Sequence, residues 1–269
     1  MSSGRFFLSF AILINCVNIN ELHAEVVFTV IGDTPYNNRA ARVLSHKLNR
    51  IDNRSVFFIH LGDIMSGKSQ CDEKEYASVA DILSKSLKPV FIVPGDNEWN
   101  GCTDPDLAWQ YWVKYFMRFD QLWPHKFKIS RQNSHPENFS FVHEQVLFIG
   151  INIVGKPVHD KAEWKQRLAD DLKWTIDSLN EQANDVTKAV IFGHASPSKK
   201  HNDYFNGLVN QADFFTKPIL YLHGDGHQWA KRRPYKKAKN ILLVQVDRNR
   251  PVTVIVTMDQ KSPFLFDQR

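Results

Sequence analysis

VVFTVIGD, residues 26–33, is a run of β-branched and aromatic side chains that stops abruptly at Gly32-Asp33. Its apolar positions are continuous rather than alternating, which suits a strand covered on both faces. The same ending recurs along the chain. VFFIHLGD stops at Asp63, VFIVPGD at Asp96, AVIFGH at His194 and ILYLHGDGH at His227. Between these runs lie stretches with helical spacing, at 37–50, 72–87, 106–118, 161–182 and 203–215. In the fourth, Trp164, Leu168, Leu172, Ile176 and Leu179 fall on one stripe. Strand alternating with helix predicts an α/β fold whose sheet begins parallel. FSFVHEQVLFIGINI reads as a hairpin turning at Glu144 and Gln145. ILLVQVD and PVTVIVTMD read as a second hairpin, joined by a tight turn through Arg248 and Asn249.

The composition agrees with a packed core. The chain has 269 residues, 43% hydrophobic and 23% charged, with 12 Gly and 12 Pro. That excludes disordered, collagen-like and coiled-coil classes. Arg5, the apolar run FFLSFAILINCV and the small-residue stop at Ala24 predict a secretory leader over residues 1–24, too short to span a bilayer. Asn15 before Cys16 argues against a lipoprotein site. No linker, repeat or low-complexity tract divides residues 25–269, which read as a single domain exported to a periplasm or beyond. Cys71 and Cys102 remain after leader removal, and an even count in an oxidising compartment predicts that they pair.

Net charge is +5. Lys231, Arg232, Arg233, Lys236, Lys237 and Lys239 crowd one short segment. Such a run is a solvated face or a field that attracts anions. No nucleic-acid-binding motif accompanies it, which argues against nucleic acid as the partner.

Function is read from the residues that end the strands. In α/β sheets ligands collect beyond the carboxyl ends of the strands, where loops converge. Asp33, Asp63, Asp96, His194, Asp225 and His227 would meet there. A lone carboxylate at a strand end is commonly a helix cap. Six Asp and His side chains at five such ends would repel or desolvate one another unless cations organised them. Oxygen and nitrogen donors without thiolate suit Mn, Fe, Zn or Mg, in a site for two cations with Asp63 as the shared ligand.

The ordered set Gly32-Asp33, Gly62-Asp63, PGDNEW at 94–99, Gly193-His194 and HGDGH at 223–227 resembles the calcineurin-like metallophosphoesterase superfamily. GDTPY, HLGDIMSGKSQC, VPGDNEWNGC and HGDGHQW resemble an exported bacterial branch of it. The resemblance covers nearly all of residues 25–269 and implies an αββα sandwich of two mixed β-sheets flanked by helices. It implies two divalent metal ions, Mn favoured, a small-molecule phosphate ester as substrate, and attack by a metal-bridging hydroxide. Asp33, Asp63, His194 and His227 match family ligands position by position. Three departures stand out: Pro35 occupies a histidine position, Asp225 replaces a histidine, and Asp96-Asn97 replaces Asn-His. Exchanging nitrogen for oxygen favours harder cations such as Mn²⁺ or Mg²⁺. Asn97 can donate a hydrogen bond to substrate but not a proton, so leaving groups of low pKa are expected.

Lys68, in the loop after Asp63, is a candidate phosphate contact. Glu98, His60 and His223 are candidates either for proton transfer or for packing around the ligands. The aromatic segment with Trp109, Tyr111, Trp112, Tyr115, Phe116, Phe119 and Trp123 reads mainly as core, with a substrate wall as the alternative. A second functional class is an exported, catalytically weak protein of the same fold that binds a phosphorylated ligand.

Overall fold

Alternation of side chains along the strands builds the whole architecture. A computed structural model describes residues 25–155 and 158–268. The expected leader, with Cys16, lies outside the described residues. In chain order the elements are β1 (Val26–Ile31), α1 (Asn38–Leu48), β2 (Phe58–His60), α2 (Glu73–Ser84), β3 (Val90–Ile92) and α3 (Pro105–Phe116). There follow β4 (Ser130–Arg131), β5 (Phe139–His143), β6 (Val146–Gly150), α4 (Lys161–Glu181), β7 (Lys188–Phe192), α5 (Asn202–Phe215) and β8 (Ile219–His223). The chain closes with β9 (Ala230–Arg232), β10 (Ile241–Gln245), β11 (Val252–Val256) and β12 (Phe264–Asp267).

The strands form two sheets, ordered β12-β11-β1-β2-β3 and β4-β5-β6-β7-β8-β10-β9. β1, β2 and β3 pair parallel, as do β6, β7, β8 and β10. Both sheets are mixed, because β11 joins β1, and β5 joins β6, antiparallel. One set of alternate residues faces the space between the sheets. Phe28, Val30, Phe91 and Val254 from one sheet meet Phe148, Val190, Phe192, Leu220 and Val244 from the other. Phe57 stacks on Phe28 with ring centroids 5.0 Å apart and meets Phe148 edge-on at 5.1 Å. The opposite set faces helices. Ile31, Phe58 and Ile92 pack under Leu44, Tyr76, Val79 and Trp112 of α1–α3, while Ile149, Ile191 and Tyr221 pack under Leu168, Leu179 and Leu208 of α4 and α5. Strands buried on both faces explain the uninterrupted apolar runs. The layering is the αββα sandwich.

The hairpin at Glu144-Gln145 forms, and both turn residues take positive φ (45° and 58°), as a two-residue turn between twisted strands requires. The second expected hairpin does not. β10 pairs with β8 and β9 in one sheet, and β11 with β1 and β12 in the other. The turn at Asp247–Arg250 therefore carries the chain across the sandwich. Leu242 and Val244 face Val252 and Val254 through the shared core, so the two strands bury the same faces by packing sheet on sheet rather than pairing edge to edge.

Phe119, Trp112 and Phe116 are buried under α2, and Trp109 stacks on Trp112 at 5.1 Å with rings 2° from parallel. The aromatic segment is core. Among the described residues no helix is long and apolar enough to cross a membrane.

Candidate metal centre

The loops that follow β1, β2, β3, β7 and β8 gather at one end of the sandwich. Gly62 and Gly95 let two of them touch. Gly62 has φ +83°, and a Cβ there would lie 2.4 Å from the Gly95 nitrogen; one on Gly95 would lie 2.1 Å from the Asp63 nitrogen. Only glycine fits so close an approach of two backbones. Asp33, Asp63, Asp225 and His227 all adopt left-handed backbone, with φ between 56° and 65°. Non-glycine residues pay for that conformation, and it collects where side-chain aim matters.

The side chains converge into two groups of three, Asp33, Asp63 and His227, and Asp63, Asp96 and His194. Asp63 belongs to both. All but His227 are buried. His194 Nδ1–H donates to the Leu61 carbonyl at 2.7 Å, which turns Nε2 towards Asp63 Oδ1 and Asp96 Oδ1, each 3.3 Å away. His227 Nε2 stands 3.4 Å from Asp33 Oδ1. Asp33 Oδ2 is buried with no hydrogen-bond partner among the described residues.

Lone pairs facing lone pairs in a buried space call for a positive charge, and this donor set fits a pair of divalent cations. Without one, burial pushes the Asp33 carboxyl up to about 7 and Asp63 to about 6, against the pull of His194. Burial opposes charge on His194 as well. The carboxylates of Asp63, Asp96 and Asp33 override it and hold its pKa well above the usual value. The fixed Nδ1–H···O=C bond is the support that orients a metal-binding imidazole.

Asp225 belongs to neither group of three. Its N–H donates to Asp33 Oδ1 at 3.1 Å, and its carboxylate faces that of Asp96 across Gly155, where a Cβ would be 2.8 Å from both. It stands at the rim of the Asp96–His194 group.

Asn97 is turned inward. Its backbone N–H donates to Asp63 Oδ1 at 3.0 Å, and its side-chain amide donates to Asp63 Oδ2 and, at 3.0 Å, to the Met65 carbonyl. Both amide hydrogens are directed at the protein, which orients Asp63. Lys68 is exposed on its loop.

Glu98 and His60 brace the loops. The Glu98 carboxylate accepts the N–H groups of Gly95, Asp63 and Ile64 at 2.6, 3.1 and 3.3 Å, and burial followed by the Asp63 charge raises its pKa to about 8. His60 Nε2–H donates to the Thr34 carbonyl at 2.8 Å and Nδ1 accepts the Gly62 N–H at 3.2 Å. It is a neutral imidazole that ties the Asp33 loop to the Asp63 loop. His223, also buried, is lowered by burial to about 3. The Cys71–Cys102 disulfide lies behind this wall, with both sulfurs about 3.5 Å from the Asn97 carbonyl (3.5 and 3.4 Å).

Two residues at the centre escaped the sequence reading. The Tyr36 hydroxyl donates to Asp63 Oδ2 at 2.9 Å and sits 3.2 Å from His227 Nε2. Arg248 lies over the Tyr36 ring, 5.4 Å from its centre. Tyr36 carries a faint signal, a fixed spacing of three from Asp33. Arg248 has none, because the sheet-crossing turn brings it there. The basic segment lies apart in its contacts: Arg232 binds Ser196 Oγ at 2.7 Å, and Lys231 covers Phe266.

A family model described as calcineurin-like phosphoesterase matches residues 26–229. The chain belongs to the calcineurin-like phosphoesterase family. A solved structure titled "GAP50 the anchor in the inner membrane complex of Plasmodium" superposes with a TM-score of 0.53 at 11% identity, covering 91% of this chain and 88% of that one. At that identity it bears on the fold alone. Comparison with curated proteins gives no match. Calcineurin-like phosphoesterases hydrolyse phosphoesters with divalent metals, and the two candidate ligand groups sharing Asp63 are where this member would hold them.

Proposed function

We propose that this calcineurin-like phosphoesterase is an exported, divalent-cation-dependent hydrolase of phosphate esters. The observation that carries the reading is the pair of buried ligand groups joined through Asp63. Two divalent cations, when bound, would supply Lewis acidity to the phosphate oxygens and lower the pKa of water at the site. Asp33, Asp63, Asp96, His194 and His227 would hold them, with Asp225 at the rim. Four carboxylates against two imidazoles favour Mn²⁺ over softer ions.

The protein's own part is to fix these groups. Asn97 and Tyr36 grip both oxygens of Asp63, Glu98 clamps the backbone beneath it, and His194 is locked by Leu61. Arg248, over the Tyr36 ring, and Lys68, in the loop after Asp63, are both exposed and are the cations we assign to the anionic substrate. Asn97 holds no acidic proton and points at Asp63 and Met65, so the leaving group departs without an acid at that position. That favours esters of acidic alcohols. The Cys71–Cys102 disulfide supports work in an oxidising compartment, hence export.

The inward amide of Asn97 favours a second reading, a weak enzyme that captures a phosphorylated ligand. The test is hydrolysis of nitrophenyl mono- and diesters with Mn²⁺, Mg²⁺ or Zn²⁺, beside an Asp63→Asn control. Metal-dependent turnover lost in the control supports the hydrolase and selects its ester class. Silence from folded protein that still binds inorganic phosphate supports capture.

A further inference from the structure

A groove of about 450 Å³ opens beside Tyr36. Two of its walls continue directly from candidate ligands, Pro35 to Asn38 after Asp33, and Ile64 to Ser66 after Asp63. The third is the start of α2, from Asp72 to Val79, which the disulfide at Cys71 ties to the Asp96 loop. Tyr36 joins the two spaces, since it lines the groove while its hydroxyl donates to Asp63.

The lining selects among leaving groups. Its floor is apolar, with Ala41, Met65 and Val79, and its rim carries the neutral hydrogen-bonding side chains of Asn38, Gln70 and Ser78. Two carboxylates, Asp72 and Glu75, face one ammonium, Lys74, which is itself paired to Asp72 at 2.9 Å. Glu75 is engaged by the Ser69 hydroxyl and the Asp72 N–H. The charged residues that line the groove therefore sum to one negative charge, which favours an uncharged guest over an anionic one. The volume suits a single ring-sized organic group, at the lower end of the range of about 300–1,000 Å³ for small-molecule sites.

We infer that this groove is the leaving-group subsite and that it takes an uncharged, hydroxyl-rich ring joined to phosphorus through a comparatively acidic oxygen, such as a sugar through its anomeric oxygen, in preference to anionic groups. The inference rests on the hydrolase reading for the word "leaving", but its binding arm does not need turnover. Saturation-transfer NMR on the full chain with methyl glucoside, and separately with glucuronate, reads the groove without cation or catalysis. Transfer to methyl glucoside should exceed that to glucuronate at least fivefold. It should fall at least fivefold in Ser78→Trp and in Asn38→Trp, exposed positions on opposite walls whose replacement leaves the core intact.

In Mn²⁺ assays, the ratio of kcat/KM for glucose 1-phosphate to that for methyl phosphate should fall at least tenfold in the same variants. Methyl glucoside transfer unchanged by both substitutions, or equal transfer to glucuronate, overturns the inference. Selective sugar binding without turnover of any ester leaves the groove standing and counts against the hydrolase instead. Turnover whose substrate ratio ignores both substitutions counts against the groove alone.

Discussion

Acidification from pH 7 to pH 5 should loosen this protein through one imidazole. His60 is buried between the Asp33 and Asp63 loops, donating through Nε2 to Thr34 and accepting at Nδ1 from Gly62. A proton added to Nδ1 would face the Gly62 N–H, donor against donor. Burial accordingly lowers the pKa from 6.5 to about 4, against the Thr34 hydrogen bond, which favours charge. The unfolded chain then binds more protons than the folded one between those values, so stability rises with pH across the window and is lost as pH falls from 6.5 towards 4. The full shift corresponds to about 3 kcal/mol, at about 1.4 kcal/mol per pH unit. Roughly 2 kcal/mol of it should have gone by pH 5. The measurement is urea unfolding in chelator at pH 7, 6 and 5, for the native chain and His60→Gln, which has no titrating ring. Subtraction removes every other group. The stability gap in favour of the native chain should shrink by about 2 kcal/mol from pH 7 to pH 5. A gap that stays constant or widens on acidification would refute the neutral, bracing His60.

Three further outcomes are expected. Replacing both Cys71 and Cys102 by Ser opens a loop with a sequence separation of 31 and should cost about 3–4 kcal/mol in urea unfolding, in line with loop-closure entropy; equal midpoints would contradict it. Tyr36→Phe removes the hydroxyl that donates to Asp63 and should lower kcat/KM for nitrophenyl phosphate about tenfold, the worth of one such hydrogen bond, while unchanged kinetics would place the phenol outside the mechanism. Because Asn97 supplies no proton, nitrophenyl phosphate should be turned over at least about a hundredfold faster than methyl phosphate; parity between them would show that another group acts as the acid.

What the sequence disclosed, and what it hid, divides along physical lines. Doubly buried strands leave continuous apolar runs, so β1, β7, β8 and the five helices were visible in composition and spacing. Asp33, Asp63, Asp96, His194 and His227 stood out because strand-end positions repeat. The connection from β10 to β11 was hidden, since a short turn joins paired strands and facing sheets equally well and both bury the same alternate residues. β9 lay concealed in the basic segment, because an edge strand needs no apolar run when only its pairing with β10 holds it. The direction of Asn97 depended on where the Met65 carbonyl would lie, a fact of tertiary geometry. Tyr36 and Arg248 reach the centre through loops whose paths no local pattern encodes.

The central claim, two cations sharing Asp63, is tested most directly by counting them. Metal-free protein loaded with Mn²⁺ at pH 7.5 and freed of excess should retain two ions per chain by elemental analysis, and Asp63→Asn, folded by circular dichroism, should retain one or none. A native chain that holds no divalent cation, or an Asp63→Asn protein that still holds two, would contradict the account.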